Sequence, residues 1–265
     1  MASLSRFGEP SLPALVLLHG FLGSKSDWLG LMPRLSQHFH CICVDLPGHG
    51  DHIKARLPTP GFEVCVDDIL SRLDAIGVKQ FHLLGYSLGG RIALHLAKKA
   101  PTRLLSLTLE SSHPGLENPQ DKQARHQHDA VWANKLLHLP LSEFLSAWYH
   151  QAIFAELTTQ ERLTLINKRL HNRAQPLHNC YLATSLALQD PLWQVPSSLH
   201  CPSYFFAGNH DKKFSDLAKR WQNQAPIELQ QFTEAGHNLH LGAPAPFCRT
   251  LIRLLTSPSK PHSEH

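Results

Sequence analysis

Short apolar runs recur along the chain, each closed by a turn that carries Gly or Asp: Ala14–Leu18, Cys41–Val44, Phe81–Leu84, Leu104–Leu109, Tyr204–Ala207 and Ile227–Phe232. Between most of them the apolar positions recur at helical spacing, over Leu29–Leu35, Val64–Ile76, Leu88–Lys99, Phe214–Gln224 and Phe247–Thr256. Strands that alternate with helices predict βαβ crossovers, hence an α/β fold with a mostly parallel sheet and helices on both faces. From about Leu116 to Leu192 the rhythm changes to amphipathic helical segments with no convincing strand. Trp148, Tyr149, Phe154, Leu163, Ile166 and Leu170 are expected on their apolar stripes. The pattern predicts a core built from 1–115 and 193–256, a helical cap inserted over 116–192, and a disordered tail at 257–265 rich in Ser, Pro, Lys and His.

Composition narrows the class. With 265 residues the chain buries roughly 75 % of its extended surface on folding, so neither disulfides nor a structural metal is needed. The formal net charge of +4 is too small and too scattered for nucleic acid, although it favours an anionic small substrate. Cys41, Cys43, Cys65, Cys180, Cys201 and Cys248 form no C-x-x-C pair and read as reduced thiols, mostly buried. The histidines show neither H-x-x-x-H nor H-E-x-x-H spacing, so no metal site is expected. No signal peptide or membrane span is evident, which suggests a cytoplasmic protein, a monomer or weak oligomer without membrane insertion.

The most specific motif is Gly85-Tyr86-Ser87-Leu88-Gly89-Gly90, between the apolar strand FHLL and the helix RIALHLAKK. G-x-S-x-G in a strand–turn–helix context is a nucleophile elbow, whose glycines let a tight turn push the serine out over the sheet edge. A lone serine hydroxyl is a poor nucleophile and a poor base, so it needs a histidine and an orienting carboxylate. The chain order that accompanies this elbow is Ser, acid, His. That order selects His237, in Glu234-Ala235-Gly236-His237-Asn238 after the last strand, over His19, which precedes the serine, and over the neighbouring His240. Asp211 follows the strand Tyr204-Phe205-Phe206-Ala207-Gly208 and is the expected acid. Asp216 already falls in the next helix. The backbone N–H groups of Leu88 and of Phe21, in the His19-Gly20-Phe21 turn, are the expected oxyanion hole. Asp45-Leu46-Pro47-Gly48-His49-Gly50 reads as a structural turn. Such a triad needs no metal and no organic cofactor.

These blocks resemble the α/β-hydrolase fold superfamily over about residues 14–255. Gly85 to Arg91, His113-Pro114-Gly115-Leu116, Trp148-Tyr149 with Phe154, and Asp211-Lys212-Lys213-Phe214 are similar to the 2-succinyl-6-hydroxy-2,4-cyclohexadiene-1-carboxylate synthases of menaquinone biosynthesis. The resemblance implies a lyase that eliminates pyruvate from a tricarboxylate, 2-succinyl-5-enolpyruvyl-6-hydroxy-3-cyclohexene-1-carboxylate. It also implies that Arg91, Arg125 and Arg169 hold carboxylates, as guanidinium forks do well. Tyr86, Trp148 and Tyr149 become pocket members on the same basis. Ser111-Ser112 before the HPGL turn and Asn209-His210 before the aspartate depart from the pattern expected of relatives. The alternative is a serine esterase, thioesterase or carbon–carbon bond hydrolase that passes through an acyl-serine.

Overall fold

The computed structural model describes residues 3–257, so all of the tail expected to be disordered except Ser257 lies outside the described residues. Its strands are β1 (Leu4–Phe7), β2 (Ala14–Leu18), β3 (His40–Val44), β4 (Phe81–Tyr86), β5 (Leu104–Glu110), β6 (Ser203–Gly208) and β7 (Glu228–Phe232). The helices are α1 (Met32–Leu35), α2 (Phe62–Ala75), α3 (Leu88–Lys99), α4 (Pro119–His138), α5 (Leu141–Tyr149), α6 (Thr159–Arg169), α7 (Ala174–Ala183), α8 (Lys212–Gln222), α9 (Leu239–Gly242) and α10 (Pro244–Thr256).

The strands form one sheet in the order β1-β3-β2-β4-β5-β6-β7. All neighbours are parallel except β1, which pairs antiparallel with β3 at the edge. Sequence patterning missed β1, a short strand without a buried face. The chain leaves β2 toward β3 on one side and returns to β4 on the other. The strand order therefore reverses between β2 and β4, and a crevice opens there at the carboxyl ends of the strands.

Side chains alternate across the sheet with the period of two that a pleat imposes. Val16 and Leu18 of β2 join Leu83, Leu107 and Phe205 against Ile69, Ile92, Leu96 and Trp221 of α2, α3 and α8. Leu15 and Leu17 face the other way, with Cys41, Cys43, Leu84 and Phe206, against Trp28, Leu35, Phe247 and Leu251. Each such side chain, fully buried, stabilises the fold by about 1.5–3 kcal/mol. The cysteines of the described chain are all free thiols, five of them buried.

Between β5 and β6 the described chain forms helices and turns only. Its apolar side chains make a cluster of their own, with Trp132, Leu136, Phe144, Leu145, Phe154, Leu165, Leu177 and Tyr181 packed over Leu22 and Phe21 of the turn after β2. The expected stripe on α6 is corrected here. Leu163 and Leu170 are 48% and 45% exposed, and Leu165 and Arg169 face inward instead. Four residues apart, those two share one helix face, whereas Leu163 sits two positions off it.

Helix α3 lies against the end of β2 so closely that a Cβ on Gly89 would stand 2.2 Å from the Leu18 carbonyl oxygen. A Cβ on Gly85 would meet the Gly89 carbonyl at 2.5 Å. Backbone cannot yield cheaply on either side, so Gly89→Ala is expected to destabilise the protein by about 1–3 kcal/mol. The check is urea unfolding: the midpoint falls while the slope stays constant.

Candidate active site

Ser87 sits between β4 and α3 with φ 50° and ψ −109°, a conformation that L-residues avoid. Three hydrogen bonds hold it there. Its N–H donates to the Glu110 carbonyl at 2.9 Å, and its carbonyl accepts from the Arg91 N–H at 3.1 Å. The Ser112 hydroxyl donates to that same carbonyl at 3.1 Å. Ser112 was singled out in the sequence only as a departure, and the structure gives it this anchoring contact.

His237 and Asp211 meet in the loops after β7 and β6. Nδ1 of His237 lies 2.6 Å from Oδ2 of Asp211, and both side chains are buried. The other carboxylate oxygen of Asp211 accepts the Phe214 N–H at 3.2 Å, where Asp211 caps α8. An ionised carboxylate only accepts, so the His237 proton resides on Nδ1 and Nε2 is left as the acceptor. Rings of Tyr86, Phe154 and Phe214 surround the imidazole at centroid distances of 5.5, 5.7 and 5.0 Å. Ser87 and His237 line the same cavity, together with Phe21 and Leu88.

The turn carrying Phe21 is held by two histidines. His49 Nε2 accepts the Leu22 N–H at 3.2 Å, and its Nδ1 donates to the Pro47 carbonyl at 3.0 Å. His19 Nε2 accepts the Leu46 N–H at 3.0 Å, and its Nδ1 donates to the Gly20 carbonyl at 2.7 Å. Both rings are therefore neutral. Burial lowers His19 and, reinforced by His19 itself, pushes His49 down to about 3. The turn at residues 45–50 is thus a brace for the first loop. Among the described residues the N–H groups of Phe21 and Leu88 have no acceptor in the protein, as donors reserved for a ligand oxygen must.

Cations cluster on the same cavity. Arg91, four residues past Ser87, donates to the Thr184 carbonyl at 2.7 Å and lies over the Phe62 ring. Burial, then the neighbouring Arg125, pushes it down to about 10, so it is charged at neutral pH. Arg125 uses Nε on Asp129 at 2.7 Å, and Asp129 also receives Tyr181 and Ser185. Lys213, on the first turn of α8, stands at the solvent-facing rim of the cavity. Burial and Arg125 lower its affinity for a proton. In the sequence Lys213 stands only as part of the Asp211-Lys212-Lys213-Phe214 motif, without a role of its own. The signal was its position two residues beyond the acid, on a turn that must face the site. His113 and His128 complete the polar wall. Burial, then Lys213 and Arg91, push His113 down to about 3, so it adds no charge. Among the described residues no group of His, Cys, Asp and Glu is arranged to hold a metal ion.

Residues 13–244 match the family described as alpha/beta hydrolase fold. The chain is 36% identical over 251 residues to the 2-succinyl-6-hydroxy-2,4-cyclohexadiene-1-carboxylate synthases of Salmonella typhimurium and Salmonella enteritidis, spanning 94% of this chain and 96% of each relative. The chain belongs to this synthase family. Among solved structures, MenH from S. aureus superposes with a TM-score of 0.88 at 24% identity, over 96% of this chain and 98% of that one. The enol-lactonase from Burkholderia xenovorans LB400 superposes with a TM-score of 0.79 at 20% identity, over 96% of each chain. At those identities the likeness is one of fold.

Not every residue expected around a ligand in this synthase-family chain reaches the cavity. Arg91, Arg125 and Trp148 line it. Tyr86, Tyr149 and Arg169 are not among the residues that line it. Tyr86 is packed between the rings of His237 and His240. Arg169 is 3% exposed, and its Nη1 and Nη2 donate to Asp27 at 2.6 and 2.8 Å. Tyr149 is buried beside it, its hydroxyl accepting from Arg169 Nε at 3.3 Å. The sequence does not reveal that Asp27, 142 positions away, satisfies that guanidinium.

Burial alone would raise the Asp27 carboxyl, but Arg169 and Lys168 override it and hold the group well below the usual carboxylate range. A depressed folded-state value contributes stability above the unfolded value, about 3.9, and loses it as pH falls further. Arg169→Met is therefore expected to cost up to about 3–5 kcal/mol at pH 7, because it removes the two-pronged partner of the buried Asp27 and leaves it Lys168. Thermal unfolding should show the gap to wild type narrowing below about pH 4.

Proposed function

We propose that this cavity converts 2-succinyl-5-enolpyruvyl-6-hydroxy-3-cyclohexene-1-carboxylate to 2-succinyl-6-hydroxy-2,4-cyclohexadiene-1-carboxylate and pyruvate. The observation that carries the reading is Arg91, Arg125 and Lys213 lining one cavity with Ser87 and His237, in a chain 36% identical to synthases named for that product. The substrate has three carboxylates, on the ring, the succinyl arm and the enolpyruvyl ether. Arg91 and Arg125 each have donors beyond those used by Thr184 and Asp129, so each can take a carboxylate without breaking its own support.

The chemistry follows from the substrate. The ring C–H next to the succinyl ketone breaks, and its electron pair passes through the ring double bond to expel the enolpyruvyl oxygen. His237 Nε2 takes the Ser87 hydroxyl proton, Ser87 takes the ring proton, and the imidazolium returns a proton to the departing enol oxygen, which leaves as pyruvate. Asp211 steadies the imidazolium. Negative charge collects on the ketone oxygen, where the N–H groups of Phe21 and Leu88 receive it. Trp148, tilted against Phe21 at 5.2 Å, and the rest of the 116–192 segment act as a cap that excludes water. No cofactor takes part, and the chain acts in the cytoplasm as a monomer or weak oligomer. Free buried thiols suit a reducing compartment, and no described helix is long and apolar enough to cross a membrane. A second reading, an acyl-serine hydrolase, draws on the same Ser87, His237 and oxyanion geometry and differs in having no use for the cations.

Incubation of the purified protein with the enolpyruvyl substrate is expected to release pyruvate at least as fast as any simple ester is cleaved. Brisk ester hydrolysis without pyruvate would favour the hydrolase. Arg91→Ala and Arg125→Ala should each lower kcat/KM by about 2–5 kcal/mol of transition-state stabilisation. Lys213→Ala, at the wetter rim, should lower it by about 1 kcal/mol or less, mainly through KM. Steady-state kinetics of folded variants check this. Near-normal efficiency in Arg125→Ala contradicts the anion-binding role.

A further inference from the structure

Behind the cavity lies a second buried histidine–carboxylate pair that the chemistry above does not use. Glu110 is the last residue of β5, and His240 follows His237 by three positions in α9. Oε1 of Glu110 accepts the His240 N–H at 3.1 Å, and its two carboxylate oxygens lie 2.9 and 2.8 Å from His240 Nδ1. The two side chains are 0 and 1% exposed. His240 Nε2 has no partner among the described residues, so Glu110 is the polar anchor of that ring. Trp28 closes off its face at a centroid distance of 4.2 Å.

We propose that Glu110 is a positioning residue that sets the spacing between Ser87 and His237. Its main chain and its side chain grip opposite members of the pair. The Glu110 carbonyl accepts the Ser87 N–H at 2.9 Å, while its carboxylate holds the loop that carries His237. Tyr86 fills the gap between them, 5.5 Å from the His237 ring and 4.9 Å from the His240 ring. A buried carboxylate–imidazole pair is weak evidence of stability, because an apolar pair of the same volume packs as well without the desolvation cost. What an apolar pair lacks is direction. The carboxylate binds the ring and the backbone of one residue at once, and so fixes both the position and the tilt of the turn just after the base. Asp211 orients the His237 ring and Glu156 accepts the His237 N–H at 3.0 Å, but neither touches Ser87 through the same residue. An error of about 1 Å in such a spacing is enough to slow chemistry 10²-fold.

The inference rests on Ser87 and His237 acting as a pair, and the test needs no natural substrate. A small fluorophosphonate is attacked by Ser87 Oγ at phosphorus, fluoride leaves, and His237 takes the hydroxyl proton. Its rate therefore reads the alignment of the two residues. In folded Glu110→Gln and His240→Leu the maximal modification rate should fall about 10–10²-fold, with the half-saturating fluorophosphonate concentration little changed. His240→Asn keeps an N–H near the place of Nδ1 and should recover most of the rate. Should the first two variants not fold, Glu110→Asp decides: it keeps the charge, withdraws it by one methylene and must also slow the modification. Wild-type rates in these variants, or a His240→Asn as slow as His240→Leu, overturn the proposal. A wild-type protein that does not react at all sinks the Ser87–His237 reading instead.

Discussion

A serine held at positive φ costs about 1–3 kcal/mol of backbone strain, and at Ser87 that strain is held in place by the sheet itself. The Glu110 carbonyl, the Arg91 N–H and the Ser112 hydroxyl hold the peptide groups on either side of it. Gly85 and Gly89 give the room, since a Cβ on either would collide with main chain. Everything else in the site is placed relative to that turn. The hydroxyl leaves the sheet at the end of β4, where the strand order reverses beside β2. Leu88 at the start of α3 therefore comes to line the same cavity as Phe21. His19 and His49, kept neutral by burial, lock that turn to the next loop without adding charge near the serine.

What was legible in the sequence is what local rules control. The strands β2 to β7 and the main helices follow from apolar runs and helical spacing, because each element buries its own face against the sheet. The elbow was visible since glycines and serine stand in a five-residue window between a strand and a helix. Asp211 and His237 followed from their places after β6 and β7, and the structure brings their side chains into contact. Contacts that depend on distant partners were not visible. Arg169 looks like any other arginine of the insertion until Asp27 and Tyr149 are found around it. Leu163 and Leu170 fit an apolar count, but the register of α6 turns Leu165 and Arg169 inward. Glu110 reads as the polar end of a strand, and only the tertiary fold shows its carboxylate beneath the His237 loop.

The balance of charge in this cavity is what favours the proposed lyase over an esterase. Among the described residues Arg91 and Arg125 each spend one side-chain hydrogen bond on the protein and leave the rest of their forks free, while Lys213 stands exposed at the rim. Burial first, and then repulsion from Arg125, lowers the proton affinity of Arg91 and Lys213. Under the proposed function, the cavity holds these cations in place before a polyanionic substrate arrives. In the proposed mechanism the neutral N–H donors at Phe21 and Leu88 receive an oxyanion, and such donors serve a planar enolate as readily as a tetrahedral intermediate. The fold offers both chemistries, and the cations favour the lyase.

The central claim is that Ser87 carries a proton and forms no covalent bond to the substrate. Mass spectrometry of the enzyme quenched during turnover of the enolpyruvyl substrate tests it most directly. The account predicts pyruvate in solution and an unmodified peptide containing Ser87. A mass increase on Ser87 matching an acyl fragment of the substrate would contradict it.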